Sequence, residues 1–416
     1  MWRMLWGGDE ARAVNFVEKL GGSVERDPLR SGKPVVGVKL GSTKVTDAGL
    51  KELVPFTNLT SLDLRGTEVT AAGLRGLAPF AKLTTVNLWD SQVTDESLAV
   101  MREINLLHAL THAETQLGSR PTNSKEVTAF YLAFTEVTHE GLRHLAPCVN
   151  LTTLELNSTK LTDKMLAVLR EINLLHALSQ AKKQDGSRPS KASEIASVRL
   201  SDSQITDEGL SELAQLENLT ELIVNRPGIT DAGLKTIARL KRLRVLNLSY
   251  SKVTDAGIGK LASLSKLATL NVGVTSLTDA GLRQLAALTS LTELRVSFTE
   301  LTDAGLKQLA PLTKLAILNL HGTNVTDDGL KHLTAFPNLT ELKLAKTKVT
   351  DAGLRSLTLL RNLTKLNLHD TKVTDAGLKT LALVRNLAEL TLGKTAVTDA
   401  GLEEFHKASP KCKVLR

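Results

Sequence analysis

The chain has 416 residues, a net charge of +8 and a sequence pI near 9.3. Apolar residues make up 42% of it but aromatic residues only 3%, so aliphatic side chains must build the core. This length exceeds one ordinary globular core, and no stretch approaches the roughly 18 consecutive apolar residues of a membrane helix.

The N-terminal segment, residues 1–34, is predicted to form a helical cap. A helix is expected over residues 10–20, with Val14 and Val17 on one face and Gly21 as its stop. Stacked repeats need their first core layer covered, and we expect this helix to cover it.

Neither an export signal nor a membrane anchor is predicted. The apolar start, residues 1–6, is too short for the hydrophobic part of a signal peptide. The two cysteines, Cys148 and Cys412, lie far apart, whereas extracellular repeat proteins often carry disulfide-rich caps. We therefore expect a reducing, cytoplasmic environment, unless a mis-assigned start hides an export signal.

A repeat dominates the rest of the chain. The motif Val-Thr-Asp-Ala-Gly-Leu, with variations, recurs fourteen times, and its threonines are 24 residues apart except at two steps of 44. Self-similarity at a fixed period is typical of a solenoid, in which each unit packs only on its neighbours. The threonines are Thr46, Thr70, Thr94, Thr138, Thr162, Thr206, Thr230, Thr254, Thr278, Thr302, Thr326, Thr350, Thr374 and Thr398.

Each unit is predicted to be a strand, a turn and a short helix. Leu62 and Leu64 alternate with polar residues, which indicates a strand with one buried face. Leu74 and Leu77 are three residues apart, which is one stripe of a helix. Thr70 precedes that helix as an N-cap, and twelve of the fourteen units place Asp after this Thr, where a negative charge suits the helix N-terminus.

The pattern L-x-x-L-x-L-x-x-T-x-V-T-D-x-G-L-x-x-L resembles the leucine-rich repeat. It is most similar to bacterial TDAGL-type repeats and to those of ribonuclease-inhibitor-like and F-box leucine-rich-repeat proteins. The resemblance covers residues 35–416 and implies an α/β solenoid. In it a curved parallel sheet lines the concave side, short helices line the convex side, and about fourteen repeats of 24 residues are stacked.

Thr or Ser replaces the usual Asn of this repeat in every unit except one, where Pro227 stands. We predict that these hydroxyl groups form an internal ladder that satisfies the backbone of each turn.

The two 44-residue units, 95–138 and 163–206, are predicted to contain longer helices. Both share the run Arg-Glu-Ile-Asn-Leu-Leu-His-Ala-Leu and lack the repeat's glycine, for which Ser97 and Met165 stand. Each helix is expected to extend to about Gln116 or Gln184, and the two to pack as a ridge on the convex side. The alternative is a thicker helical layer with only structural meaning. His108 and His176 recur identically and are expected on the helix surface.

No catalytic, cofactor-binding or metal-binding residue is predicted, and no enzyme activity. None of the sequence motifs of zinc proteases, P-loop proteins, serine hydrolases or dinucleotide-binding enzymes is present. His321 and His369 lie on one side of the sheet, but two strand spacings, about 10 Å, are too far for a shared zinc ion. Cys148 falls where other units have Leu or Phe and is expected in the core.

The candidate binding residues lie on the concave strands and in the turns that follow them. Interfaces concentrate aromatic and Arg side chains, and aromatic residues are rare in this chain. The main patch is predicted at Tyr250, Arg295, Phe298, His321 and His369, and a second at Trp89, Tyr131 and Phe134. The alternative is that Phe134, Tyr250 and Phe298 fold into the turns as packing. The predicted partner-binding residues are Trp89, Tyr131, Asn247, Tyr250, Asn271, Arg295, Phe298, Asn319, His321, Lys343, Asn367 and His369.

The predicted function is to bind a partner protein as a monomeric scaffold. A nucleic-acid-binding surface should carry one sign of charge, whereas glutamates such as Glu221, Glu293 and Glu341 alternate with basic residues on the concave strands. The resemblance to F-box proteins implies an alternative, an adaptor in a larger complex, although only about 34 residues precede the repeats. A structural role without a specific partner is the remaining alternative.

Overall fold

Short strands alternate with short helices along the chain, as the repeat pattern predicts. The structure is a computed structural model that describes residues 8–89, 93–114, 119–133, 135–156, 161–201 and 203–416. It has two units, the first ending at Ile195 and the second running from Ala196 to Arg416.

The described residues of the first unit form six α-helices and eight strands. The helices are α1 (Gly8–Lys19), α2 (Asp47–Leu50), α3 (Ala71–Leu74), α4 (Asp95–Glu103), α5 (His139–Leu142) and α6 (Asp163–Glu171). The strands are β1 (Ser23–Arg26), β2 (Val35–Lys39), β3 (Ser61–Asp63), β4 (Thr85–Asn87), β5 (Ala113–Glu114), β6 (Ala129–Tyr131), β7 (Thr153–Glu155) and β8 (Ala181–Lys182).

The predicted N-terminal helix is confirmed as α1, which buries Ala13 and Val17, while Val14 is only half-buried. Strand β1 was not predicted. It pairs antiparallel with β2, whose other edge starts the parallel sheet β2–β3–β4. Because an edge strand exposes unpaired backbone groups, β1 satisfies those at the start of this sheet. The assignment of residues 1–34 as a separate cap stays a prediction.

The predicted helix extension in the long units is wrong. Helix α4 stops at Glu103 because Asn105 adopts the left-handed conformation, with φ 59°. The N–H of Leu106 then donates to the carbonyl of Met101 over 2.8 Å, which closes the helix end. Asn tolerates this conformation better than most residues, so the shared Ile-Asn-Leu run ends a helix.

Helix α6 ends in the same way, with Asn173 at φ 59° and the N–H of Leu174 bonded to the carbonyl of Leu169. Gln184 therefore lies beyond the helix, and Gln116 lies outside the described residues.

The extra residues add a strand layer. Leu110 bridges Val86 in parallel, and Leu178 bridges Leu154. Val86 and Leu110 are 24 residues apart (110 − 86), and Leu110 and Phe130, on β6, are 20 apart (130 − 110). A 44-residue step is thus one full repeat followed by a short one, in which β5 pairs antiparallel with β6.

Among the described residues of this layer, no α-helix lies between α4 and α5. The Asp95 carboxylate accepts the backbone N–H of Thr138 at 2.7 Å, so the two helices are direct neighbours. Helix α5 in turn packs against α6. The predicted ridge of α4 against α6 is therefore wrong, because α5 lies between them. The placement of His108 and His176 on a helix surface is also wrong, since both are buried in 3-10 turns.

The described residues of the second unit form nine α-helices and ten strands. The helices are α7 (Asp207–Glu212), α8 (Gly233–Ile237), α9 (Asp255–Ile258), α10 (Asp279–Leu285), α11 (Asp303–Gln308), α12 (Asp327–Leu330), α13 (Asp351–Leu354), α14 (Asp375–Leu381) and α15 (Asp399–Ala408). The strands are β9 (Ser197–Arg199), β10 (Glu221–Ile223), β11 (Val245–Asn247), β12 (Thr269–Asn271), β13 (Glu293–Arg295), β14 (Ile317–Asn319), β15 (Glu341–Lys343), β16 (Lys365–Asn367), β17 (Glu389–Thr391) and β18 (Lys413–Leu415).

Strands β9 to β18 pair in parallel in chain order. The register follows the repeat, since Leu222 lies opposite Leu246 and Leu246 opposite Leu270, and all three are buried. The C-terminal strand, β18, pairs with β17 and forms the edge of this sheet. The central residue of each strand, leucine in β10 to β17 and valine in β9 and β18, thus stacks on that of the next to form the core. The flanking strand residues lie on the opposite, solvent-facing surface, here called the strand face.

The predicted hydroxyl ladder is confirmed at ten positions. Each hydroxyl donates to the carbonyl three residues earlier over 2.6–2.8 Å. Ser251 is the exception, since its buried oxygen has no partner among the described residues. The ten are Thr43, Thr67, Thr135, Ser203, Thr275, Thr299, Thr323, Thr347, Thr371 and Thr395.

The predicted threonine caps are confirmed at most of the helices, but the side chain of Thr46 accepts no cap hydrogen bond. The hydroxyl oxygen of Thr254 accepts the N–H of Ala256 at 3.2 Å, as an N-cap does. The same threonine donates its N–H and O–H to the carboxylate of Asp231, in the preceding repeat, at 2.8 and 2.6 Å. The repeat's Asp therefore bonds the next repeat as well as standing at the start of its own helix.

Candidate interaction surface

In nine repeats of the described part of the chain, the turn that follows the strand holds one residue in the left-handed conformation. Tyr250, Val274 and Phe298 have φ of 62°, 56° and 53°. The N–H of Tyr250 donates to the carbonyl of Gly273 at 3.0 Å, and that of Phe298 to the carbonyl of His321 at 2.7 Å. These bonds continue the parallel ladder from the strands into the turns, which explains why residues other than glycine adopt this conformation.

Three successive turns expose apolar side chains. Tyr250 is 59% exposed, Val274 36% and Phe298 49%. Tyr250 and Phe298 are thus not packed into the turns, the alternative raised by the sequence. We call these three residues the apolar turn row. The same position holds Ser42, Gly66, Gly322, Lys346, Asp370 and Lys394 in other repeats.

Phe298 and His321, both predicted binding residues, are in contact. Their ring centroids are 4.6 Å apart. The Phe298 ring also covers Gly322, where a Cβ atom would lie 2.6 Å from the ring. Burial lowers the pKa of His321, with a further contribution from the positive charge of Lys346, so the imidazole is neutral near pH 7. A neutral imidazole tilted against the Phe298 ring extends the apolar surface.

The predicted asparagines hold the turns. Asn247, Asn271, Asn319 and Asn367 each accept, through the side-chain oxygen, the backbone N–H two residues further on, at 2.9–3.0 Å. This is an Asx turn, which explains Asn at this position. The side-chain oxygen of each asparagine thus already accepts a hydrogen bond within its own turn.

The predicted basic residues of this surface are paired with acids. Arg295 lies 2.5 Å from Glu293, and Lys343 lies 3.0 Å from Glu341. The strand face around the apolar turn row therefore carries little net charge. The repeat that contains Ala345 separates His369 from His321. No group of three metal ligands occurs among the described residues.

The second predicted patch is not continuous. Trp89 and Tyr131 are both exposed, but the strand layer of Leu110 lies between them. Thr111 of that layer bonds Asn87 at 3.4 Å, and the N–H of Tyr131 bonds the carbonyl of His112 at 2.8 Å. Phe134, assigned to this patch, lies outside the described residues.

Val274 is not among the residues predicted from the sequence, which are aromatic, basic or amide side chains. The signal was present, because Val274 is 24 residues from both Tyr250 and Phe298. Cys148 is buried as predicted, and burial raises the pKa of its thiol to about 12. None of the described helices is long and apolar enough to cross a membrane.

Comparisons with known proteins agree with the strand-and-helix arrangement. A family profile described as "Leucine-rich repeat region" matches residues 197–413, more than half of the chain, and one described as "Leucine Rich repeat" matches residues 57–78. No curated protein matches the sequence.

Several solved structures are similar. An internalin of Listeria monocytogenes is 21% identical, with a TM-score of 0.46, over 92% of this chain and 94% of that one. A leucine-rich-repeat protein of Leptospira interrogans is 19% identical, with a TM-score of 0.48, over 89% and 94% of the chains. A second internalin of Listeria monocytogenes is 27% identical, with a TM-score of 0.40, over 50% and 88%.

Proposed function

Because the chain belongs to the leucine-rich-repeat proteins, whose fold generally serves as a scaffold for protein–protein interaction, we propose that it binds a partner protein through the strand face of its second unit. The binding surface is centred on the apolar turn row and includes His321 and the neighbouring strand residues. The chain acts as a non-catalytic scaffold.

The observation that carries this proposal is the exposure of Tyr250, Val274 and Phe298 in consecutive turns. Packing does not require apolar side chains there, since other repeats place Ser, Gly, Lys or Asp at the same position. Contiguous exposed apolar surface costs solubility and marks interaction sites. Tyr and Phe also supply large contact areas with little loss of side-chain entropy.

The charges of the strand face favour a protein over a nucleic acid. Arg199 lies 2.6 Å from Glu221, and Arg295 and Lys343 are likewise paired with glutamates. A phosphate backbone requires basic groups that are free to replace counterions. A surface that is apolar at its centre and internally neutralised at its rim suits a folded protein partner.

We extend the proposal to the place of action, a reducing compartment such as the cytoplasm. Both cysteines are free and buried, and neither is available for a disulfide between chains. Sedimentation of the purified chain tests the monomeric state that is predicted from the sequence.

The proposal is tested by using the purified chain to capture proteins from a lysate of the source cell. Binding of the chain to each purified candidate partner is then measured. The test variant is Tyr250→Asn with Phe298→Asn, because Asn tolerates the left-handed conformation and should preserve the turn. The matched control is Lys346→Asn with Lys394→Asn, which alters the same turn position outside the apolar turn row.

We expect one partner that both the wild-type chain and the control variant retain. The test variant should bind this partner at least about tenfold more weakly, because two aromatic side chains that become buried on binding contribute several kcal/mol. Equal retention by all three chains would exclude the apolar turn row. Capture of nucleic acid alone, released by salt, would support the nucleic-acid alternative. A complex with several subunits would indicate the adaptor role.

A further inference from the structure

Two exposed leucines lie on the helix side of the second unit, away from the strand face. Leu359 ends the 3-10 turn after α13 and is 65% exposed, and Leu383 follows α14 and is 66% exposed. They are 24 residues apart and so occupy the same position in consecutive repeats. The next residues, Leu360 and Val384, are buried in the core.

Packing does not explain leucine at this position. The four preceding repeats hold Ala335, Pro311, Ala287 and Ser263 there. Since smaller or polar residues serve the fold equally well, the two leucines expose apolar surface that the repeat does not need. Helices α13 and α14 pack directly against each other, so the leucines are presented by neighbouring repeats.

The surroundings of these leucines are basic. Residues 352–365 and 376–388 contain no Asp or Glu. Among the described residues, the side chains of Arg355, Arg361 and Arg385 make no ion pair, whereas Lys379 lies 3.3 Å from Glu404. We call Leu359, Leu383, Arg355, Arg361 and Arg385 the leucine–arginine patch.

We propose that the leucine–arginine patch is a docking site for an acidic amphipathic α-helix of a partner protein. Neighbouring packed helices are about 8–10 Å apart, and residues seven apart on a helix are separated by about 10 Å. A helix laid across the two repeats therefore places two apolar residues of one face on Leu359 and Leu383. Glutamates at the edge of that face meet the unpaired arginines.

Other occupants fit this surface less well. Leucines contribute nothing to phosphate binding, and no Phe, Tyr or Trp for base stacking occurs between residues 352 and 388. A second copy of the same patch would bring arginines against arginines. The charge and the apolar pair together select an acidic helix with an apolar stripe.

The test uses a labelled synthetic peptide of about 18 residues, roughly 27 Å of helix, with leucines on one stripe and glutamates beside it. A peptide of identical composition with the leucines scrambled around the helix is its control. The full chain is titrated against both in a fluorescence anisotropy measurement. The same chain is titrated against a single-stranded RNA oligonucleotide and against vesicles of anionic phospholipid.

Two variants use residues that the chain itself tolerates at these positions. Leu359→Ala with Leu383→Ala copies Ala335, and Arg361→Thr with Arg385→Thr copies Thr313. The matched control, Arg239→Ala with Lys241→Thr, makes the same kind of change in an earlier repeat. Unchanged circular dichroism spectra and unfolding midpoints establish that each variant is folded.

We expect the striped peptide to bind at least about tenfold more tightly than the scrambled one, and each patch variant to lose about tenfold in affinity. The control variant and Tyr250→Asn with Phe298→Asn should bind like wild type, which separates this site from the strand face. Equal binding of the two peptides, or leucine variants that bind like wild type, would overturn the proposal. Tighter binding of the oligonucleotide or the vesicles, lost with the arginine variant, would overturn it in favour of those ligands.

Discussion

The carboxylate of Asp231 occupies the space that a side chain at Gly257 would need. Asp231 accepts two hydrogen bonds from Thr254 of the next repeat, and a Cβ atom on Gly257 would clash with its Oδ1 atom. The Asp and the Gly of the repeat motif are therefore linked across repeats. The same clash occurs at Gly73, Gly141, Gly233, Gly281, Gly305, Gly329, Gly353, Gly377 and Gly401.

Two units of the repeat lack the Asp and two lack the Gly, and their order in the chain supports this link. Ala71 and His139 stand where the other twelve units have Asp. The unit that follows Ala71 has Ser97 instead of Gly, and the unit that follows His139 has Met165. A side chain is present only where the preceding carboxylate is absent. Thr94 caps its helix by accepting the N–H of Ser97 at 3.3 Å.

Gly257→Ala should lower the free energy of unfolding by about 1–2 kcal/mol, because the cost of overpacking exceeds the gain in helix propensity. In an Asp231→Ala background the same substitution should be neutral or stabilising by up to about 1 kcal/mol. Chemical denaturation of the four chains of this double-mutant cycle measures the coupling. Additive effects would show that the two residues are independent.

The reverse exchange can be made in the first unit. Ala71→Asp should destabilise the protein, because the new carboxylate meets the buried side chain of Ser97. Adding Ser97→Gly should recover about 2 kcal/mol, since the carboxylate can then bond Thr94. Thermal unfolding of the single and double variants decides this. A double variant no more stable than Ala71→Asp would contradict the link.

Val274→Asn should stabilise the protein by about 1 kcal/mol, because a β-branched residue at φ 56° is strained and Asn is not. Lys346→Asn, at the same turn position with φ 54°, should have a smaller effect. Unfolding midpoints in urea compare the two. If the partner is bound through the apolar turn row, Val274→Asn should also weaken that binding, so the two effects have opposite signs.

His112 should make the protein sensitive to acid. Burial, and next the positive charge of Arg120, lower the pKa of His112 to about 4, from an ordinary value of 6.5. The folded state thus favours the neutral imidazole. Its contribution is fully present above pH 6.5 and is lost as the pH falls towards 4, by an amount on the order of 3 kcal/mol.

His112→Gln removes this dependence, and Gln180 occupies the corresponding position in the second long unit. Unfolding free energies measured between pH 7 and pH 4 should therefore fall less steeply in the variant than in wild type. His406→Gln, which alters an exposed histidine, serves as the control. Parallel curves for wild type and His112→Gln would contradict the prediction.

The repeat period by itself determined most of this fold. A 24-residue spacing places Leu222, Leu246 and Leu270 in one buried column and Thr254 at a helix start, whatever the rest of the chain does. This is possible because each repeat packs only on its neighbours, so local patterning carries the tertiary information. The sequence predicted part of the candidate surface for the same reason, because the residues of a strand alternate between the core and the solvent.

Only the tertiary structure decided the features that arise between repeats. Leu110 follows Val86 at the repeat period but lacks the surrounding motif. Its strand layer depends on the left-handed Asn105, which ends the helix and frees the residues that follow to pair. The exposure of Val274 depends on the neighbouring turns, and the hydrogen bonds that Thr254 donates to Asp231 join residues 23 positions apart. Such contacts depend on how neighbouring repeats stack. The repeat period gives the spacing of residues along the chain, but it does not determine which atoms of neighbouring repeats are in contact.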